Sequence, residues 1–476
     1  MEYGQYISGN FRQGTCNRVF TVINPSDESV LGEYAYASIS DLAEATSSAK
    51  KAFADWKKLS GQVRSTYLKK ISALLVERKD KIAQTIAQEL GKPIAEAQRE
   101  VVTAAEMFDW ASEESRRIYG RIIPSRTPNT TQQVVFEPIG PVAAFSGWNA
   151  PAITPARKIS GALSAGCTIV IKPSEETAGV ALHLAQAVHD AGIPAGVVNM
   201  VFGEPGEIAD YLCDSQDIAM VTFTGATSIG KMIGSKAARS MKKATLELGG
   251  HAPVIVCDDI DAEKVARISA AAKFRNAGQV CTSPTRFIVQ RNVFETFKEA
   301  FVKAVQAIKV GKPLDADSQM GPLKNQRRLD SIDALVVNAR ELGLEIACGG
   351  HRIEGKGYFY APTVIVQPSL EADVSNIEPF GPIALISPFD SIDEAIAEAN
   401  RLPFGLAAYT FTQNLHTSDR FANEIESGVV CINEFVASLP ETPFGGYKDS
   451  GLGSEGGIEG THEFLKLKTV RRISVI

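Results

Sequence analysis

A chain of 476 residues is too long for one ordinary hydrophobic core and, at about 150 residues per unit, divides into roughly two or three domains. Its formal charge of −6, with both signs mixed along the chain, excludes the basic face or tail of a nucleic-acid binder and leaves a small molecule as the expected partner. Seven cysteines, at 16, 167, 213, 257, 281, 348 and 431, form no CxxC pair and no regular spacing, so neither a disulfide framework nor a metal site is expected, and reduced thiols imply a cytoplasmic setting. The opening Met1-Glu2-Tyr3-Gly4-Gln5 lacks the basic and apolar regions of a signal peptide, and no apolar run approaches the ~18 residues that span a bilayer, so no membrane partner is expected.

From residue 38 to 120 the pattern predicts helices: Leu42, Ala45, Ala49, Ala52 and Trp56 recur at three- and four-residue steps, then Leu68, Ile71, Leu74 and Leu75, then Ile82, Ile86 and Leu90. Residues 131–137 are β-prone and stop before Pro138-Ile139-Gly140-Pro141, which predicts an extended arm able to pair with another chain. Between 141 and 256, apolar runs at 142–146, 168–171, 197–202, 220–223 and 253–256 alternate with helical stretches around Ala162, at 181–191 and at 229–238. Such βα repetition predicts a parallel sheet. A second α/β region is expected from 250 to 447, with helices at 261–274 and 293–308 and strands at 362–366 and 383–386.

Two turns leave predicted strands in the manner of dinucleotide sites. Phe223-Thr224-Gly225-Ala226-Thr227-Ser228-Ile229-Gly230 runs from a strand into a helix as a G-x-x-x-x-G turn, which serves either a phosphate or plain strand-to-helix geometry. Ile171-Lys172-Pro173-Ser174-Glu175 leaves another strand at its carboxyl end with an amine and a carboxylate suited to ribose hydroxyls. Glu247, between Leu246 and Leu248 and before Gly249-Gly250, is placed for desolvation and hence for a raised pKa useful in a base. Cys281 follows the polar run Arg275-Asn276-Ala277-Gly278-Gln279-Val280, which reads as a nucleophile loop; a buried structural thiol is the competing reading, and the one expected of the other six cysteines. The six histidines offer this cysteine no obvious partner, so it needs backbone N–H donors or another base.

Gly147-Trp148-Asn149-Ala150-Pro151, Lys172-Pro173-Ser174-Glu175, Phe223-Thr224-Gly225, Leu246-Glu247-Leu248-Gly249-Gly250, Gly278-Gln279-Val280-Cys281, Glu378-Pro379-Phe380-Gly381-Pro382 and Pro443-Phe444-Gly445-Gly446 occur in an order and spacing that resemble the aldehyde dehydrogenase superfamily over nearly the whole chain. The resemblance implies an α/β fold with a Rossmann-like cofactor domain (residues 1–118 and 138–249), an α/β catalytic domain (250–447) and a small β oligomerisation element (119–137 and 448–476), and a homodimer or homotetramer. It also implies NAD(P)-dependent oxidation of an aldehyde to a carboxylate. The Cys281 thiolate attacks the carbonyl, the Asn149 amide and the Cys281 N–H hold the oxyanion, and loss of hydride leaves a thioester that Glu247 hydrolyses through water. Lys158 and Glu455 match proton-relay positions, with a solvated surface charge as the competing reading.

The same resemblance assigns Trp148, Lys172, Ser174, Glu175, Gly225, Ala226, Ile229, Leu248, Glu378 and Phe380 to the cofactor. Glu175 on the ribose favours NAD, with NADP as the alternative because Lys172 offsets the carboxylate. Two departures stand out: Gly147 and Ala150 replace a proline and a phenylalanine usual in the family, and Ala226 replaces a serine that many members use on the pyrophosphate.

Arg157 and Arg275 match positions where semialdehyde dehydrogenases carry arginines that clamp a distal carboxylate, a task suited to the planar guanidinium. Residues 247–256, 273–287 and 448–457 resemble α-ketoglutaric semialdehyde dehydrogenases more than succinate-semialdehyde dehydrogenases, so 2,5-dioxopentanoate is the favoured substrate and succinate semialdehyde the next. Neutral aliphatic or aromatic aldehydes form the alternative substrate class. A non-catalytic binding protein of the same fold and a CoA-acylating or thiol-esterase activity are the competing functions, the first disfavoured by Cys281, Glu247 and Asn149, the second by Glu247.

Overall fold

The helical periodicity of residues 38–120 resolves, in a computed structural model that describes residues 4–474, into α1 (Ile39–Trp56), α2 (Gly61–Glu77), α3 (Lys79–Leu90) and α4 (Ile94–Glu114). Met1, Glu2 and Tyr3 of the N-terminal stretch and the last two residues of the expected C-terminal element lie outside the described residues. Each helix boundary has a local cause. Ser38 caps α1 reciprocally, its hydroxyl accepting from the Asp41 N–H while the Asp41 carboxylate accepts from the Ser38 N–H at 2.8 Å. Gly91, at φ 90°, ends α3 in the left-handed region, and Pro93 leads into α4. The apolar stripes of α1, α2 and α3 face the core: Leu42, Ala45, Leu68, Ile71, Ile82 and Ile86 are buried, and Ala52 and Leu74 are partly buried at its edge.

The βα repetition builds an eight-stranded sheet. Its five parallel strands lie in the order Val198–Met200, Ile169–Lys172, Val142–Phe145, Met220–Thr224, Lys243–Glu247. Between them run α5 (Ile153–Ala165), α6 (Ala178–Asp190), α7 (Pro205–Asp214) and α8 (Thr227–Arg239). Helices cover both faces, which is why strands such as Ile169–Lys172 are buried along their whole length and read as continuous apolar runs. Antiparallel edges close the sheet: Gln5–Ile7 beside Val198–Met200, and Gly451–Leu452 beside Lys243–Glu247.

Only four residues separate Glu247 from the next strand, Ala252–Val256, which belongs to a second sheet of seven strands. That sheet carries Pro284–Gln290, Ile383–Phe389, Thr363–Val366, Ala407–Phe411 and Val429–Ile432 in parallel, with α9 (Ala262–Phe274) feeding the first of these. The β-prone arm is the strand Thr130–Pro138. Within the same chain it pairs over nine residues with Leu465–Ile473, and Arg121–Ile123 adds a third strand. The C-terminal strand therefore begins four residues before the Thr469 where its β character was expected. Residues 451–463 do not join the arm: Gly451–Leu452 edges the first sheet and Phe444 bridges to Glu455, which carries Glu455 back to the middle of the molecule. No helix of the described residues is long and apolar enough to cross a membrane.

One buried contact ties the N-terminal helices to the sheet. The first-turn N–H groups of α6 have no side-chain cap from Thr177; instead the Glu89 carboxylate at the end of α3 accepts from Gly179 at 2.9 Å and Val180 at 3.2 Å. Burial pushes the Glu89 carboxyl up to about 7. Glu89→Ala leaves buried donors unpaired and is expected to destabilise the chain by about 1–3 kcal/mol in chemical denaturation, with Glu89→Gln, which keeps an acceptor oxygen, costing less.

Candidate active site

Strand order in the first sheet reverses between Val142–Phe145 and Met220–Thr224, and a crevice at the carboxyl edge of such a reversal is where open α/β sheets hold ligands. A cavity of about 620 Å³ opens there. The first sheet contributes Trp148 and Asn149 beyond Phe145, Gly225 and Ala226 beyond Thr224, and Glu247 and Leu248 at the end of the last strand; the second unit contributes Arg275, Cys281, Glu378 and Phe380. Arg157 on α5 and Glu455 complete the convergence.

Cys281 sits after a backbone run of unusual shape. Asn276, Ala277 and Gly278 have φ of 49°, 53° and 71°, three successive left-handed residues, two of them carrying a Cβ. Side chains hold the run in place. The Asn276 amide donates to the carbonyls of Asn149 and Gln279, both at 3.1 Å, and the Asn276 N–H donates to Glu96 Oε2 at 3.0 Å. Gln279 donates to the Asn276 carbonyl at 3.1 Å and accepts from the Lys324 N–H at 2.9 Å. Beyond the cysteine, the Tyr409 hydroxyl donates to the Thr282 carbonyl at 2.7 Å, and Lys273 Nζ donates to Ser283 Oγ at 3.0 Å. Lys273 is fully enclosed, and burial lowers its ammonium to about 7.

Glu247 is 3 % exposed, and its Oε1 has no hydrogen-bond partner. Burial, reinforced by the negative charge of Glu455, pushes its carboxyl up to about 8. Cys281 lies within hydrogen-bonding reach of Glu247, and burial followed by the charges of Glu247 and Glu378 pushes its thiol well up. The resting cysteine is therefore a thiol beside a carboxyl group that can take its proton once ionised, rather than a preformed thiolate. The Asn149 side-chain amide and the Cys281 N–H make no hydrogen bond among the described residues, and both residues line the cavity, so both donors are free for a ligand there.

Lys158 and Glu455 are not solvated surface charges. Lys158 lies beneath the cavity, where Nζ donates to Glu455 Oε1 at 2.5 Å and to Thr222 Oγ1 at 2.9 Å. Glu455 Oε2 is 3.9 Å from Arg157 Nη1. Lys158, Thr222 and Glu455 thus form one buried polar cluster, whose Glu455 carboxylate lies within electrostatic reach of Glu247.

The residues expected to hold a dinucleotide fall in two places. Trp148, Gly225, Ala226, Leu248, Glu378 and Phe380 line the cavity; Lys172, Ser174, Glu175 and Ile229 do not, although the first three continue a strand at the same sheet edge. The atoms present suit an anionic ligand with a flat ring. α8 starts without a side-chain cap and without an acidic first-turn residue, leaving its N–H groups and dipole for a phosphate, and Thr224 Oγ1 is buried beside them without a partner. Phe380 meets Trp148 edge-on at 5.6 Å. A Cβ at Gly249 would lie 2.5 Å from Glu378 Oε2, so the glycine admits that carboxylate, which accepts from the Gly250 N–H at 3.2 Å. Lys172 Nζ and Glu175 pair at 2.5 Å, so the carboxylate meets a ligand already half neutralised.

Of the two arginines, Arg157 is buried: its Nη2 donates to Ser438 Oγ at 2.6 Å, its guanidinium lies 4.7 Å over the Phe444 ring, and its Nε has no partner. Arg275 is exposed at the cavity and has no hydrogen bond or ion pair among the described residues. Ser438 and Arg328 escaped the sequence reading. Ser438 is 281 residues from the arginine it serves, and Arg328, which donates to the Phe380 carbonyl at 3.0 Å and covers its ring at 5.7 Å, belongs to a helix with no motif of its own. Neither leaves a signal in local spacing.

The Aldehyde dehydrogenase family profile matches residues 11–470. Among curated proteins, the chain is 41 % identical over 468 residues to the 4-(hydroxymethyl)benzenesulfonate dehydrogenase TsaD1 of Comamonas testosteroni, covering 98 % of each. It is 39 % identical to the mitochondrial succinate-semialdehyde dehydrogenase of Oryza sativa subsp. japonica, covering 98 % of this chain and 88 % of the relative. Among solved structures, an E. coli NADP dependent enzyme superposes with a TM-score of 0.97 at 36 % identity, covering 99 % of this chain and 98 % of that one.

The left-handed run before Cys281 has one position that admits no side chain at all: a Cβ on Gly278 would fall 2.1 Å from the Gly381 carbonyl oxygen. Gly278→Ala is expected to destabilise the fold by about 1–3 kcal/mol, read by chemical denaturation, because a positive φ and a backbone clash act together.

Proposed function

The chain belongs to the aldehyde dehydrogenase family, and on that premise we propose that it oxidises an aldehyde bearing a distal anionic group to the corresponding carboxylate, with NAD preferred and NADP accepted. The observation that carries this reading is the meeting of Cys281, Glu247 and Asn149 with Arg157 and Arg275 on one cavity.

In this reading Glu247 takes the thiol proton as Cys281 Sγ bonds to the aldehyde carbon, and the carbonyl oxygen becomes an oxyanion held by the Asn149 amide and the Cys281 N–H. A nicotinamide dinucleotide at the sheet edge supplies the hydride acceptor, and the sulfur keeps the acyl group as a thioester. Glu247, its proton passed toward Glu455 and Lys158, removes a proton from water, and the resulting hydroxide displaces Cys281 to release the acid. Lys172 and Glu175 are assigned to the adenosine ribose and Glu378 to the nicotinamide ribose. The carboxylate of Glu175 disfavours a 2′-phosphate and its partner Lys172 moderates that effect, in keeping with the NADP-dependent character of one structural relative.

The distal anion is a carboxylate in the favoured substrates, 2,5-dioxopentanoate and then succinate semialdehyde. The Comamonas relative, named for a benzenesulfonate, supports an aryl sulfonate aldehyde as a second reading, since guanidinium serves both anions. We assign residues 1–118 and 138–249 to cofactor binding, 250–447 to catalysis and 119–137 with 448–476 to assembly as a homodimer or homotetramer. Exposed Tyr119, Ile122, Leu467 and Ile473 on or beside the arm support that last role. A cytoplasmic location accords with its seven unbridged cysteines.

Glu247 is a base only when deprotonated, and its raised carboxyl holds its proton below about 8, so turnover is expected to rise with pH along a limb near that value. Glu455→Gln removes the charge that raises Glu247 and should move the limb to lower pH; an unmoved limb would count against the assignment. Cys281→Ala should abolish NADH formation, whereas Glu247→Gln, which removes both the acceptor of the thiol proton and the base for water, should slow the first-turnover burst and lose about 10²–10⁴-fold in steady-state rate. Arg157→Ala and Arg275→Ala should each raise KM for succinate semialdehyde by about 10-fold or more while leaving butanal nearly unchanged; equal effects on both would refute the clamp.

A further inference from the structure

We infer that Arg99 is a specificity-determining residue: with Arg275 it forms an outer anion station at the mouth of the cavity, for aldehydes whose anionic end lies farther from the carbonyl than in a four-carbon semialdehyde. The inference rests on the reading that the cavity oxidises anionic aldehydes, and extends it to a substrate class.

α4 turns one face to the cavity, Glu96, Arg99, Glu100 and Thr103, at the i, i+3, i+4, i+7 spacing of a helix stripe. Two of its three charged residues are committed. Glu100 is buried, pairs with Lys92 Nζ and accepts from the Ala152 N–H at 2.8 Å. Glu96 accepts from the Asn276 N–H at 3.0 Å and so belongs to the support of the nucleophile loop. The Arg99 side chain is exposed and has no hydrogen bond or ion pair among the described residues, the same condition as that of Arg275.

Both guanidiniums lie within electrostatic reach of Glu96, which places them around one carboxyl. That carboxylate is engaged by the Asn276 N–H and forms an ion pair with neither arginine. Two guanidiniums without an ion-pair partner repel each other, and a bound oxyanion removes the repulsion while accepting from both. Depth separates this station from the other one. Arg157 is 7 % exposed and already oriented by Ser438 and Phe444, whereas Arg99 and Arg275 face solvent. An anion close to the aldehyde reaches Arg157 and Arg275; an anion farther out, across an aromatic ring, reaches Arg275 and Arg99.

The test compares kcat/KM of the wild type, Arg99→Ala, Arg99→Lys and Arg157→Ala on succinate semialdehyde, 4-formylbenzenesulfonate and benzaldehyde. Arg99→Ala is expected to lose about tenfold on 4-formylbenzenesulfonate, through KM and less so at high salt, while changing about twofold or less on the other two. Arg99→Lys should recover part of the loss. Equal loss on all three aldehydes, no loss on any, or no oxidation of 4-formylbenzenesulfonate by the wild type would overturn the outer station. Failure of the underlying reading looks different: Arg157→Ala would then leave succinate semialdehyde unaffected, whatever Arg99 does.

Discussion

Three consecutive left-handed residues before Cys281 are the constraint on which the rest of the site depends. Each left-handed residue with a Cβ costs of order 1–3 kcal/mol, so the run persists only because its surroundings over-determine it. The hydrogen bonds that do so come from every part of the molecule: Glu96 from α4, the Asn149 carbonyl from the first sheet, the Lys324 N–H and the Tyr409 hydroxyl from the second unit. Asn276 joins the two halves of the site directly, since one amide holds both the loop that presents the sulfur and the loop that presents Asn149. The spacing of Cys281 and Asn149 is thereby a property of the whole fold.

Low dielectric is the second theme. Glu247, Glu378 and Lys273 are all enclosed, and burial moves each toward its neutral form, to about 8, about 7 and about 7. Such groups exchange protons near neutral pH at little cost, which is the property a cysteine with a strongly raised thiol needs in its neighbours. Charge lining or beneath the site is paired in Lys158 with Glu455 and Lys92 with Glu100, while Arg275 and Arg99, without an ion pair among the described residues, meet solvent at the mouth.

Much of this was legible in the chain. Continuous apolar runs separated by helical stripes specified a parallel sheet, because a strand covered on both faces has no polar side to show. Motifs around Cys281, Glu247 and Asn149 carried their own chemistry in local composition. Other features were not legible. The N-terminal strands Gln5–Ile7 and Asn10–Arg12 are only three residues long, too short for any periodicity, and find their place by pairing with Val198–Met200 and with each other. For Lys158 and Glu455 the sequence left a surface charge and a relay equally open, since an isolated Lys or Glu carries no mark of burial.

The sequence by itself determined which residue types stand at strand ends and loop tips, and hence the family and the candidates Cys281 and Glu247, because those depend on short-range spacing. Tertiary structure alone decided which charges are paired. Ser438 reaches Arg157 across 281 residues, Glu455 returns to the centre only because Gly451–Leu452 edges the first sheet, and Arg99 is free only because Glu96 and Glu100 beside it are taken. Pairing is a matter of distance in space, and the strength of each pair depends on how much water the surrounding chain excludes, neither of which local sequence encodes.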